Sequence, residues 1–307
     1  MTAKGTPPFL RTREIEQVSN FYFIHPISRW FVDRFEALGI HPNVVSISGM
    51  SFGAAAAVAY YHYDRLPMVV LGFALMIGWH VMDGADGQLA RKTGKTSEIG
   101  KVLDGLCDYM TFMLVYSSLC LRLMPAWGYW IWLIGGAAAA SHVMQANVFE
   151  FQRQAYDYRV HGKSSARLIT VEEYREGLSR KEGLVRFFAT IYLPIVQVQE
   201  KMIRIDHRLH QRLDDLQVEG GRADLVAASY RENNLSAVRQ WGVLSSNTRT
   251  VALFIACLAG NPLYFLGFEI LVLNGVLLGL MARQRQRNEA LYEELAPTQM
   301  VEVSALP

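Results

Sequence analysis

Four aspartates, Asp83, Asp86, Asp104 and Asp108, stand at the polar edges of two strongly apolar segments, where an unpaired charge is expensive. Asp83 and Asp86 are three residues apart and Asp104 and Asp108 four, so each pair shares one face of a helix. The connector over residues 92–99 contains Gly94 and can reverse the chain, bringing the pairs together. Clustered carboxylates stay ionised only beside cations, and hard oxygen ligands on rigid helices suit two divalent ions, Mg²⁺ or Mn²⁺. The pattern points to a membrane-embedded phosphoryl-transfer site. Asp83, Asp86 and Asp104 are read as ligands, and Asp108, one turn beyond Asp104 on the same face, as a second-metal ligand and the general base.

Neighbouring residues suit the same chemistry. Gly87 has no Cβ, so a phosphate-bearing donor can press against the helix backbone. Arg91 lies four residues on and can turn its fork to those phosphates. Ala90 is small for the same reason of access, and Gly100 allows the two motif helices to approach closely. Two competing readings are a structural polar network around Arg91 and a carboxylate-based transporter. Four carboxylates against one arginine leave a charge surplus that metal relieves, and Gly87 with Arg91 suits phosphate better than a proton path.

These residues need helices to hold them. Six candidate spans, each near the ~20 residues that cross a hydrocarbon core, run about 44–61, 66–81, 102–123, 127–146, 251–260 with its upstream turns, and 264–281. The fifth is the weakest, because Asn247, Arg249 and Asn261-Pro262 crowd its ends. Small residues at Gly53–Ala57 and Gly135–Ala140 suit helix packing in lipid. Basic residues concentrate in the N-terminal stretch, the motif loop, residues 151–245 and Arg283–Arg287, which places both ends and the motif loop at the cytoplasm. Tyr60, Tyr61 and Tyr63 with Trp127, Trp130 and Trp132 would form an outer aromatic belt. Ile27, Trp30, Phe31, Phe35 and Leu38 make an amphipathic helix for the membrane interface, or one packed on the protein itself, that ends at Pro42.

The expected fold class is therefore all-α. It is a polytopic membrane protein with six transmembrane helices, an N-terminal interfacial amphipathic helix and a cytoplasmic helical insertion. Its divisions are 1–42 for the N-terminal segment, 43–150 for spans one to four, 151–245 for the insertion, 246–283 for spans five and six, and 284–307 for a cytoplasmic tail. Apolar residues make up 51% of the 307 and lie in long runs, which argues against an ordinary soluble domain. A net charge of +2 without a basic-aromatic patch argues against a nucleic-acid partner. Cys107, Cys120 and Cys257 all lie in apolar segments and are expected as buried free thiols. The first eight residues carry no apolar run of the kind a secretory signal needs, so the first span is expected to direct insertion.

The string D-x2-D-G-x2-A-R-x8-G-x3-D-x3-D, with all eight fixed letters present from Asp83 to Asp108, resembles the signature of the CDP-alcohol phosphotransferases. The resemblance covers roughly residues 26–150 and, more loosely, the last two spans. It implies a donor with a CDP leaving group, an alcohol acceptor, release of CMP, the same aspartate roles and a homodimer. By position in the family pattern it also implies that Ser97 and the segment Asn43, Val44, Val45 and Ser46 touch the nucleotide; helix capping is the alternative for Asn43 and Ser46. The expected donor is CDP-diacylglycerol and the acceptor a small polar alcohol such as inositol phosphate or glycerol phosphate. A CDP-choline or CDP-ethanolamine enzyme with a lipid acceptor, and a non-catalytic scaffold, are the rivals.

Outside the motif the signals are weaker. His80 and His142 are read as packing histidines that could also reach the site. Arg153 and Arg159, with Lys163 beyond, suit an anionic acceptor or anchoring at the interface. Phe188, Ile191, Ile195, Val198, Met202, Ile205 and Leu209 follow heptad-like steps interrupted by Pro194, which fits a dimer seam, a lid, or a helix packed on its neighbours.

Overall fold

The computed structural model describes residues 13–163, 166, 170–179, 182–219 and 221–296. The described residues are helical without a strand, in agreement with the expected class. The helices are α1 (His25–Ala37), α2 (Pro42–Tyr61), α3 (Leu66–Thr93), α4 (Glu98–Trp127), α5 (Trp130–His161), α6 (Val171–Ser179), α7 (Gly183–Ile205), α8 (His207–Asp214), α9 (Ala223–Trp241), α10 (Ser246–Leu258), α11 (Leu263–Gly267) and α12 (Asn274–Glu294). They divide into two units. The first holds the described residues through Val143 with Ser246–Leu273, and the second Met144–Ser245 with the described residues from Asn274.

Four helical stretches are long and apolar enough to cross a membrane: Pro42–Tyr61, Leu66–Thr93, Leu103–Trp127 and Leu263–Glu294. Two of the six expected spans do not meet that standard. Helix α5 is long, but His142, Gln145 and Asn147 dilute its apolar run. Helix α10 has 13 residues, fewer than the ~20 a span needs.

In the first unit, α2 packs against both motif helices. Its small residues make this possible. A Cβ at Gly49 would lie 3.2 Å from the Cβ of Met82 on α3, and one at Gly53 would collide with Thr111 on α4. Ala56, Ala57, Met76, Val115 and Leu119 fill the core beyond. Tyr60 joins that core fully buried, its ring against the space left by Gly72, so it is not part of an outer belt. Tyr61, Trp127, Trp130 and Trp132 are exposed as a belt requires.

Helix α1 lies on α3. Its buried positions are Ser28 and Val32, with Ile24 just before them, packed among Val45, Val81, Met82, Ala85 and Leu89. The Ser28 hydroxyl donates to the carbonyl of Val81 at 2.8 Å, and a Cβ at Gly84 would stand 2.8 Å from Ser28 Oγ. Gly84, inside the motif, thus leaves room for α1. Ile27, Phe31 and Phe35 pack partly on the same cluster, while Trp30 and Leu38 remain exposed. Lys92 closes the far end with ion pairs to Asp33 at 2.7 Å and Glu36 at 2.6 Å.

The first unit also buries an ion pair. Arg249 Nε on α10 lies 3.0 Å from Glu269 Oε1, and both side chains are fully enclosed. Glu269 belongs to a π-helical segment, Phe268–Leu273, whose wider turn departs from the regular helix around it.

The second unit has its own interior of Leu213, Leu216, Val226, Trp241 and Leu291. A chain of amides crosses it. Gln284 donates to Asn234 at 2.7 Å and to Asn288 at 2.9 Å, and Asn288 donates to Asp206 at 2.7 Å. The heptad-like seam is divided between two helices, because the chain turns at Asp206 between α7 and α8; α7 continues through Pro194. Among the seam residues Leu209 is buried, and the side chains of Phe188, Ile191, Ile195 and Ile205 lie outside the described ones.

Candidate active site

The chain reverses between α3 and α4 as its glycine suggests. Gly94 caps α3 with φ +68, a left-handed conformation that favours glycine, and Ser97 starts α4 by accepting the Gly100 N–H at 2.9 Å. The reversal brings Asp83 of α3 to Asp104 and Asp108 of α4. One carboxylate oxygen from each lies within 4.8 Å of the others. Three hard oxygen donors at that separation fit a divalent cation of the Mg²⁺ class.

Asp86 stands apart from that trio, accepting the hydroxyl of Ser46 with both side chains buried. It nevertheless lines the same cleft, of about 110 Å³, as Asp83, Gly87, Arg91 and Asp104. Arg91 folds back over Gly87 as the four-residue spacing suggests. A Cβ at Gly87 would lie 3.2 Å from Arg91 Nη1, so glycine leaves the guanidinium room at the cleft floor.

The residues implied to touch a nucleotide are placed as follows. His41, before Pro42, is the N-cap of α2, its Nδ1 accepting the Asn43 N–H at 3.2 Å, so neither Asn43 nor Ser46 caps that helix. A Cβ at Gly100 would lie 3.3 Å from Asn43 Oδ1 and 3.1 Å from Ser97 Oγ. Gly100 therefore makes room for α2 and its own cap. The expected approach was between α3 and α4. Val44 is exposed, while Val45 is buried in the apolar cluster under α1.

His80 is buried with Nε2 2.9 Å from Thr250 Oγ1, one turn before Asp83, and lines the cleft. His142 faces Tyr116 O–H at 3.3 Å and stacks edge-on against Phe112, a packing position. The second unit contains Arg153, bonded through Nε and Nη2 to the Glu150 carboxylate at 2.8 and 2.6 Å, and Arg159, paired with Asp214 at 2.7 Å. All three cysteines are buried free thiols.

Sequence reasoning missed the rest of the cleft. Asn20, Ile24, His25, Ser246 and Asn247 line it too, from segments more than 200 residues apart. The one signal was the polar crowding at Asn247 and Arg249, which reads in sequence only as a flaw in an apolar span.

Converging carboxylates, a glycine and an arginine thus come together at the ends of apolar helices. Residues 39–171 match the CDP-alcohol phosphatidyltransferase family, and this part of the chain is a CDP-alcohol phosphatidyltransferase domain. Among similar curated proteins is the bifunctional IPC transferase and DIPP synthase of Aquifex aeolicus, 28% identical over 130 residues, covering 42% of this chain and 28% of that protein. The archaetidylinositol phosphate synthase of Pyrococcus horikoshii is 31% identical over 91 residues, covering 30% of this chain and 46% of that protein. An uncharacterized class-I family protein of Dictyostelium discoideum is 25% identical over 112 residues, with 33% and 27% covered. The matches thus span less than half the length of each of these relatives.

Proposed function

We infer that the protein is a metal-dependent enzyme of phospholipid biosynthesis that transfers a phosphatidyl group from CDP-diacylglycerol to a small polar alcohol and releases CMP. The carrying observation is the convergence of Asp83, Asp104 and Asp108 within 4.8 Å of one another, beside a cleft that Asp83 and Asp104 line with Asp86, Gly87 and Arg91. One of the relatives is named an archaetidylinositol phosphate synthase, which favours an inositol phosphate acceptor.

Asp83, Asp86, Asp104 and Asp108 would hold two Mg²⁺ or Mn²⁺ ions. Divalent ions bound there supply positive charge against the pyrophosphate and the leaving group. Arg91, turned over Gly87, holds a donor phosphate by a charge-assisted fork. Ser97 at the start of α4, and Asn43, Val44 and Ser46 on α2, would touch the nucleotide, a role the family likeness supports. The acceptor oxygen forms a bond to the donor phosphorus as the bond from that phosphorus to CMP breaks. The acceptor proton passes to Asp108. An even number of spans with the site at the cytoplasmic face, and a homodimer, complete the reading, supported by the distribution of basic residues and the family likeness.

The test is release of CMP from CDP-diacylglycerol by purified protein with a panel of alcohols that includes inositol phosphate, glycerol phosphate and free inositol. Acceptor-dependent CMP is expected with a polar alcohol. Turnover confined to CDP-choline or CDP-ethanolamine with a lipid alcohol would reverse donor and acceptor, and no CMP from any pair would remove the enzyme reading.

A further inference from the structure

Two of the helices packed on α3 reach the turn just before Asp83 with side-chain bonds. From α1, the Ser28 hydroxyl donates to the Val81 carbonyl at 2.8 Å. From α10, Thr250 Oγ1 lies 2.9 Å from His80 Nε2. His80 stands three residues before Asp83 on the same face of α3, and both line the cleft. Thr250 is 1% exposed and His80 5%, so loss of either partner would strand the other away from water.

Helix α10 is held by contacts of two kinds. Phe254 packs against Phe73 of α3 with ring centroids 4.5 Å apart. Arg249, the neighbour of Thr250, is fully enclosed with Glu269 at 3.0 Å. A buried ion pair costs desolvation and is a weak source of stability. The metal site below depends on geometry more than on stability. Asp83 comes from α3, whereas Asp104 and Asp108 come from α4, and their oxygens lie within 4.8 Å of one another. That separation is set by how α3 is turned about its own axis. A carboxylate ~5 Å from the axis moves about 1 Å for a rotation of about 10°. Ligands must be held to within about 0.5 Å, and Mg²⁺ demands near-ideal octahedral geometry.

We propose that Thr250, acting through His80, is a positioning residue for the metal ligand Asp83. The inference rests on the metal-dependent reading above and adds to it a helix outside residues 39–171, the part that matches the family. The His80–Thr250 bond leaves α3 sideways, one turn from Asp83, and so resists rotation of the ligand away from Asp104 and Asp108. Arg249 and Glu269 fix the direction of Thr250 in turn, because a charged pair meets in fewer registers than an apolar contact. Partners that orient a metal ligand act on affinity without touching the ion.

The experiment is Mn²⁺ binding to the chelated full chain, followed by paramagnetic resonance with and without CMP. Thr250→Val keeps the shape of the side chain and removes its hydroxyl. It is expected to raise the Mn²⁺ dissociation constant about tenfold, the low end for loss of a partner that orients a ligand. Thr250→Ser keeps the hydroxyl and should stay within about twofold of wild type. His80→Phe keeps a ring and removes the nitrogen, so it should weaken Mn²⁺ binding to a similar degree. Joined to Thr250→Val it should add nothing, because both remove one bond. His80→Phe also decides the matter if Thr250→Val fails to fold. A role in packing alone would lower the Tm of these variants and leave Mn²⁺ binding as in wild type, and that result would overturn the inference. Losses that add in the double variant would overturn it as well. If the wild type bound no Mn²⁺ under either condition, the metal reading itself would fall.

Discussion

The two units handle charge in opposite ways. The first gathers like charges: Asp83, Asp104 and Asp108 converge at the edge of apolar helices, with Asp86 on the same cleft. The second pairs unlike ones. Arg153 grips Glu150, Lys163 lies 3.1 Å from Asp157, and Arg159, almost wholly enclosed, meets Asp214 and Gln217. Opposite charges in contact stabilise each other and need no ligand. Gathered carboxylates repel and favour the fold only when a cation joins them, so the arrangement is explained by what it binds. Arg249 and Glu269 show that the first unit pairs charge as well, away from its cleft.

The contrast can be sharpened from both sides. Asp108→Asn should leave the protein folded and able to bind donor, yet slow transfer by roughly two to four decades, the range for loss of a general base. CMP release at saturating donor reads this directly, and near wild-type turnover would detach Asp108 from the chemistry.

Acid should act on the second unit. His210 is half-buried there, and burial first, then the nearby Arg159 and His207, depress its pKa to about 4, while Asp214 opposes them. A base with a pKa below its unfolded value of about 6.5 takes up its proton more readily when unfolded. Its contribution is therefore intact above about pH 6.5 and lost as pH falls towards about 4, on the order of 3 kcal/mol for the whole shift. Asp206, its carboxyl raised by burial, works in the opposite sense and blunts the loss. Denaturant midpoints for wild type and His210→Gln across pH 7 to 4.5 should converge in acid; parallel curves would show no such linkage.

The smallest effect separates two readings of the arginines. Arg159→Ala removes a nearly buried guanidinium from Asp214 and Gln217, and about 2 kcal/mol of stability should go with it. Both substrate KM values should hold. A selective rise in acceptor KM would instead make Arg159 a ligand for an anionic acceptor, and would break the division between a binding unit and a charge-paired one.

How far the sequence reaches follows the same line. Asp83 to Arg91 and Gly100 to Asp108 are legible because metal chemistry requires fixed residue types at helical spacing, packed into one short stretch. The reversal at Gly94 and the turn of Arg91 over Gly87 follow from local geometry. The rest of the cleft lining is not local. Asn20 and Asn247 meet because α1 docks at Gly84 and α10 packs on α3, and neither contact leaves a periodic trace. Glu269 sits unannounced in the apolar run Phe265–Leu273, and only its partner 20 residues earlier explains it. Tyr60 shows the limit for aromatics, since a tyrosine at a helix end suits the membrane edge and the core alike until Gly72 opens a place for its ring.

The central claim is that the gathered carboxylates of α3 and α4 hold the cations needed for transfer. Its most direct measurement is CMP release by thoroughly chelated protein, followed by titration with Mg²⁺, Mn²⁺ and Ca²⁺. The account predicts no transfer after chelation and recovery with Mg²⁺ or Mn²⁺, but not with the larger, loosely coordinated Ca²⁺. Full activity in the chelated protein would contradict it.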